Sequence, residues 1–299
     1  MCAANGVNPP KNPITFIIKE ALKQEPNRKG SKLNWNITEI GYLKENFSSS
    51  KNKSVAAFLN KSSNAIRIKA SRLKLKKEST TYRNSLVLTP DEEQIILGGL
   101  IGDLHCRITY TSKNARLEGG HGSNQIGYLD YKIKLSGRLN WTVRLAKDGS
   151  THYESKSFQC LSQYFALFYL DNKKVINIKI LDRINKLGLL IWYLDDGNYH
   201  LRDKTSRIYT NCFSYEEQLI IKKWFEDKWN ISPKIYHYKD QNNYPGKIWH
   251  YLNFSVSETK KLHDLFINFN IPECMKYKFY YNHESHLPKP VPEALVAYN

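Results

Sequence analysis

The chain has little of what would mark it for export, for a membrane or for zinc. Its 299 residues hold five cysteines, Cys2, Cys106, Cys160, Cys212 and Cys274, widely separated, with no CxxC pair and no Cys/His cluster at zinc-finger spacing. They read as reduced, buried thiols. No stretch approaches the roughly 20 apolar residues of a membrane span. The longest candidate, Ile95 to Leu104, is broken by glycines and carries an aspartate near its end. The opening MCAANGVNPPKNP has neither an apolar signal core nor the Arg-rich amphipathic character of a transit peptide, so no export or import address is read and a soluble protein is expected. Acid is the scarcer charge: 28 Asp and Glu face 45 Lys and Arg, a net charge of +17, which points to a polyanionic partner and to no membrane.

The basic excess is uneven. Met1 to Ser85 carry 17 basic and 5 acidic side chains, a surplus of 12. Residues 1–31 read as a polar, flexible lead-in with a short helical patch at Ile14 to Leu22. Residues 32–78 read as a helix-turn-helix-like DNA-binding segment, because apolar residues recur at helical spacing in three blocks, Ile37 to Phe47, Ser54 to Asn60 and Ser63 to Leu73. Asn36 with Glu39 makes a capping-box pattern, and Ser62-Ser63-Asn64 supplies caps for the third block. That block sets Ile66, Ala70 and Leu73 on one face while Arg67, Lys69 and Arg72 project elsewhere, the pattern of a recognition helix. The plainer alternative is a small basic bundle whose charges only solvate it. A polar linker, Lys76 to Asn84, leads to a mixed α/β pattern that starts near Leu86.

Thr89-Pro90-Asp91-Glu92 is a strong helix start, with Thr as N-cap, Pro in the first turn and Glu closing a capping box. The helix it opens, EEQIILGGLIGD, places Gly98 and Gly102 on one face with Gly99 beside them. A glycine inside a helix costs about 1 kcal/mol, so the stripe calls for another backbone at close approach. Asp103 then puts a carboxylate at the negative end of the helix dipole, where it needs a cation. LGLLIWYLDDGNY repeats the design: an apolar helix ending in Asp195-Asp196, stopped by Gly197 as a C-terminal glycine. Two such helices, separated by comparable α/β segments, imply an internal duplication whose acidic ends meet. Paired carboxylates repel unless neutralised, and hard Mg²⁺ with oxygen ligands and bound water does this best.

ILGGLIGDL and LLIWYLDDG resemble the two signature motifs of the LAGLIDADG homing endonucleases, over a similarity running from about Leu86 to Phe279. RLEGGHGSNQIGYLDYKIKL and SRIYTNCFSYEEQLIIKKWF follow the two motifs in matching order, strand into helix, with Ser214 and Glu217 as a capping box. The chain departs from the pattern at Leu104, where the family often has Gly, and at Ile191 and Trp192, where small residues are usual. The resemblance implies an α+β fold of two pseudo-symmetric αββαββα halves, 86–172 and 173–285, with a tail at 286–299. It implies a monomer whose strands lie along the major groove of double-stranded DNA. It places catalytic and metal-binding acids at Asp103 and Asp196, with Mg²⁺ as cofactor and Mn²⁺ able to substitute, and short 3′ overhangs as product. It carries a basic residue near each metal site to Lys174 and Lys278, with Lys173, Lys179 and Lys276 as rivals. His105, beside Asp103, reads as a local hydrogen-bonding residue.

The strands offer faces that could read DNA. Arg207, Tyr209 and Asn211 alternate with Ile208, Thr210 and Cys212. CRITYTSK sets Arg107, Thr109, Thr111 and Lys113 on one side, and PKIYHYKD does the same for Lys234, Tyr236 and Tyr238. The leading expectation is a site-specific endonuclease. The alternative is a maturase acting on intron RNA, or a non-cleaving DNA-binding regulator on the same fold. Richness in Lys, Asn, Ile and Tyr suits an AT-rich genome and a mobile intron in an organelle or phage.

Overall fold

The computed structural model describes residues 35–109, 112–240 and 244–283. The lead-in at 1–31, Thr111 and the tail at 286–299 lie outside the described residues. The chain divides into two compact units, Met1–Ser85 and Leu86–Asn299.

The first unit is helical: α1 (Ile37–Asn46), α2 (Asn52–Phe58), α3 (Ser63–Arg72) and α4 (Glu78–Ser85). The Asn36/Glu39 capping box forms in both directions, and the Ser62 hydroxyl accepts from the Ala65 amide. Leu43, Val55, Leu59, Ile66 and Ala70 build the core, with Trp35, Phe58 and Leu73 packed around it. The turn between α2 and α3 bends at Asn60, whose φ of 48° suits a short polar side chain. Helix α4 lies where the sequence suggests only a polar linker. Its first residue is tied down from a distance: the Glu78 amide donates to the Ser48 carbonyl, and the neighbouring Lys77 ammonium donates to the Phe47 and Ser50 carbonyls.

The second unit repeats one pattern. The first half is α5 (Pro90–Ile101), β1 (His105–Arg107), β2 (Arg116–His121), α6 (Ile126–Leu135), β3 (Thr142–Leu145), β4 (Thr151–Glu154) and α7 (Ser162–Phe168). A two-stranded ribbon, β5 (Tyr169–Leu170) with β6 (Lys173–Lys174), and the short α8 (Ile178–Leu181) lead to the second half. That half is α9 (Lys186–Asp196), β7 (Gly197–His200), β8 (Thr205–Tyr209), α10 (Tyr215–Trp229), β9 (Lys234–Lys239), β10 (Ile248–Phe254) and α11 (Val256–Asp264). Both are αββαββα, and their antiparallel sheets share one strand order, β1-β2-β4-β3 and β7-β8-β10-β9. The capping boxes at Thr89/Glu92 and Ser214/Glu217 both form.

Helices α5 and α9 cross at the centre of a common core that includes Ile96, Leu97, Leu100, Leu189, Leu190 and Trp192. The crossing is tight because glycine meets glycine: a Cβ on Gly98 would fall 2.2 Å from the Gly188 carbonyl oxygen. Gly188, upstream of the second motif, supplies the small residue that Ile191 and Trp192 do not. Gln94 stitches the same crossing, donating to the Arg183 carbonyl (2.9 Å) and accepting from the Asn185 amide (2.8 Å). Gly197 does not stop α9 through a left-handed turn. It is extended (φ −79°, ψ 152°) and glycine is needed for space, since a Cβ there would lie 2.3 Å from the Tyr193 carbonyl oxygen. Among the described residues the four cysteines are free but not uniformly buried: Cys106 is buried, Cys160 and Cys274 are half-buried and Cys212 is exposed. No helix among the described residues is long and apolar enough to cross a membrane.

Candidate active site

The C-terminal ends of α5 and α9 meet. A Cβ on Gly102 would lie 2.6 Å from Asp195 Cβ, and the Asp103 amide donates to Asp195 Oδ2 at 3.3 Å. Three carboxylates, those of Asp103, Asp195 and Asp196, gather where both helix dipoles are negative, and three lysines answer them.

Lys132, on α6, is one that sequence reasoning missed. Its ammonium lies 2.8 Å from Asp195 Oδ1, and the two side chains are 2% and 0% exposed. The Tyr128 hydroxyl, one turn earlier, donates to the same oxygen at 2.8 Å. Burial works against the lysine charge, but the Asp195 carboxylate outweighs it and holds Lys132 above the usual lysine range. Both Asp195 oxygens are therefore occupied. The available signal was a lysine one turn from Tyr128 on the apolar side of IGYLDYKIKL, a place where an unpaired charge is rarely tolerated.

Asp103 and Asp196 are held differently. Burial, then the Asp195 carboxylate, push Asp103 up to about 6, against the pull of Lys132, Lys278 and Lys174. Burial, then Asp103 and Asp195, raise Asp196 well above the ordinary carboxylate range, with Lys174 and Lys278 opposing. The site therefore stores repulsion between acids that a cation would relieve.

Lys174, on β6, donates to the Gly102 and Leu104 carbonyls at 3.0 and 3.1 Å. Lys278, in a 3₁₀ segment spanning Glu273–Lys278, donates to the Leu194 and Asp195 carbonyls at 2.6 and 3.3 Å. Each lysine thus satisfies carbonyls at the end of one motif. Burial lowers both below the ordinary lysine range. Lys173 and Lys179 are exposed, and Lys276 pairs with Glu273 at 2.5 Å. The Lys278 carbonyl accepts from the Tyr193 hydroxyl at 2.7 Å, within a buried cluster that includes His263 and Ser206.

His121, another residue missed from sequence, ends β2 with its side chain 1% exposed and Nδ1 4.0 Å from Asp103 Oδ2. Burial, then Lys132, lower it to about 4, so it is neutral at pH 7. His105 is exposed on β1. Among the described residues no group of three or more His, Cys, Asp or Glu is placed to hold a metal ion by itself, the two free carboxylates being Asp103 and Asp196. A hard divalent cation held by one or two carboxylates, with water and phosphate oxygens completing its shell, is what this oxygen donor set fits.

One face of each sheet points away from the core. On β8, Ser206 and Ile208 are buried, as is Thr210 just beyond it, while Arg207, Tyr209 and Asn211 look outward as their alternation requires. Lys234, Tyr236 and Tyr238 of β9 are exposed. Arg107 is outward on β1 and paired to Glu118 at 2.8 Å. The alternation of CRITYTSK does not continue as strand, however: β1 stops at Arg107, and Thr109 and Lys113 stand in the connection, because only His105 to Arg107 find partners on β2. In the first unit, Arg67 and Arg72 are exposed, whereas Lys69 is half-buried with its ammonium 5.7 Å from the Trp35 ring.

A family model described as the LAGLIDADG DNA endonuclease family matches residues 93–262, more than half of the chain. The chain belongs to that family. The match spans both motif helices and both sheets of this LAGLIDADG protein. It is 28% identical to the probable intron-encoded DNA endonuclease 3 of Mycosarcoma maydis over 131 residues, 42% of this chain and 90% of the relative. It is 26% identical to Protein RecA of Mycobacterium gastri over 206 residues, 64% of this chain and 48% of the relative, so the chain spans less than half the length of that protein. Cytochrome b mRNA maturase bI2 of Saccharomyces cerevisiae is 26% identical over 159 residues, 47% of this chain and 37% of the relative. Among solved structures, the homing endonuclease I-WcaI bound to its DNA recognition sequence superposes with a TM-score of 0.55 at 18% identity, covering 67% of this chain and 90% of that one, a likeness of fold.

Proposed function

We propose that this LAGLIDADG protein is a site-specific endonuclease that makes double-strand breaks in DNA as a monomer, one motif serving each strand. The observation that carries the reading is the pair of acids, Asp103 and Asp196, at abutting helix ends, both raised by burial and mutual repulsion. Asp195 is withdrawn from that role by Lys132 and Tyr128.

Asp103 and Asp196 would hold Mg²⁺, with Mn²⁺ able to substitute, and the bound cation supplies Lewis-acid polarisation of the phosphate and activation of water. Lys174 and Lys278, fixed on the carbonyls of each motif, add positive charge beside the acids, where charge develops on a scissile phosphate. The outward faces of the two sheets would meet the major groove. In the first unit α2, the Asn60 turn and α3 would serve as a helix-turn-helix, with the exposed Arg67 and Arg72 reaching DNA and the half-buried Lys69 less so. An intron is the setting that the intron-encoded relative suggests, and the richness in Lys, Asn, Ile and Tyr suits one in an organelle or phage.

The test is incubation with DNA carrying the uninterrupted insertion site, or a randomised library, in Mg²⁺ and in Ca²⁺, for the parent protein and for Asp103→Asn and Asp196→Asn. Mg²⁺-dependent cutting that disappears in either variant while binding survives supports the reading. Binding without cleavage under every metal refutes it. Similarity to the yeast mRNA maturase favours one second reading, action on intron RNA, which the same assay with RNA resolves.

A further inference from the structure

The two sheets share a strand order but not a chemistry. On the first, Arg107, Glu118, Arg116, Glu154 and Arg144 form one unbroken chain of ion pairs, at 2.8, 2.5, 3.2 and 2.8 Å in that order. The register sets like charge opposite like charge, Arg107 across from Arg116 and Glu118 across from Glu154. Directly opposed like charges weaken a sheet, and the pairs that bridge them, half-buried at the centre of the chain and exposed at both ends, offset that. Carboxylates also disfavour a phosphate backbone. A face meant only to hold polyanion would not carry two of them. Alternating guanidinium donors and carboxylate acceptors do match one target, the major-groove edge of a G·C pair, where guanine presents N7 and O6 as acceptors and cytosine presents its N4 amine as donor.

The second sheet has no acid on any of its strands. Its outward centre is aromatic: Tyr209, Tyr236 and Tyr238 surround Tyr251 at ring-centroid distances of 5.9, 5.9 and 6.3 Å, and Arg207 lies over the same ring. The Asn211 amide donates to the Tyr238 hydroxyl at 3.2 Å and ties β8 to the tyrosine cluster. Ring surfaces suit the thymine methyl that every A·T pair presents in the major groove.

We propose that the protein reads a target of two chemically unequal halves, one rich in G·C under the first sheet and one rich in A·T under the second. The inference rests on the DNA-binding part of the reading above. The test is selection of bound duplexes from a randomised pool by the non-cleaving Asp103→Asn/Asp196→Asn protein in Ca²⁺, repeated with Arg144→Ala and with Tyr236→Ala added. The expected result is G·C bias confined to one half. Arg144→Ala weakens it by about tenfold at one or two positions of that half, the loss of one bidentate contact, and Tyr236→Ala relaxes only the other half. Equal composition in both halves, or Arg144→Ala acting on the A·T half, overturns the inference while the endonuclease reading stands. Retention of no duplex at all overturns both.

Discussion

Replacing Lys132 by methionine keeps the length and apolar stem of the side chain and removes only its charge. The Asp195 carboxylate, 0% exposed, would keep the Tyr128 hydroxyl at 2.8 Å and the Asp103 amide at 3.3 Å but lose the ammonium at 2.8 Å. Breaking a buried pair on one side costs about 3–5 kcal/mol. With two donors retained, the lower end applies, about 3 kcal/mol, or about 10 °C in Tm for a domain of this size. Adding Asp195→Asn should recover most of the loss, because no unpaired charge then remains buried. Urea denaturation of the parent, the single variant and the double variant at pH 7.5 measures both effects. A single variant within 1 kcal/mol of the parent, or a double variant no better than the single, would refute the argument.

Other expectations follow from the same geometry. Gly98→Ala drives a methyl into the Gly188 carbonyl and should cost about 3 kcal/mol in urea denaturation; a loss under 1 kcal/mol would contradict the tight crossing. Asp103, at about 6 when folded and about 3.9 when unfolded, lowers stability as pH rises from 4 to 6. Asp103→Asn should therefore be more stable than the parent at pH 8, by about 1 kcal/mol once solvent screening of a side chain 41% exposed is allowed for. Divalent-cation affinity of the parent, read by calorimetry, should fall below pH 6 as a proton competes for that carboxylate. Lys278→Met should lower the rate of cutting about 10²-fold with little change in DNA affinity; an equal loss in both would mark the lysine as structural.

What could be read from sequence was local. The capping boxes at Asn36, Thr89 and Ser214 each lie within four residues, and each forms. The Gly98/Gly102 stripe announced a close backbone approach. Its partner at Gly188 lies 90 positions downstream, and nothing near it in sequence sets it apart from any helical glycine. Helix α4 was invisible for a similar reason: ESTTYRNS is polar throughout, and its start is fixed by contacts to Phe47, Ser48 and Ser50. Alternation past Arg107 looked like strand because a period of two says nothing about where the neighbouring strand ends. Lys132 passed as a surface lysine because its acid is on another helix.

The Lys132–Asp195 contact joins an α6 residue of the first half to a motif residue of the second, and it occurs once, since the first motif has Gly102 where the second has Asp195. Were the chain cut between its halves, this contact would act as a mating rule. Two copies of the first half would bury two Lys132 ammoniums with no Asp195 to pair them, and two copies of the second would bury two Asp195 carboxylates with no Lys132. Only the unlike pair makes this contact, so the fragments are keyed to find each other and to refuse themselves.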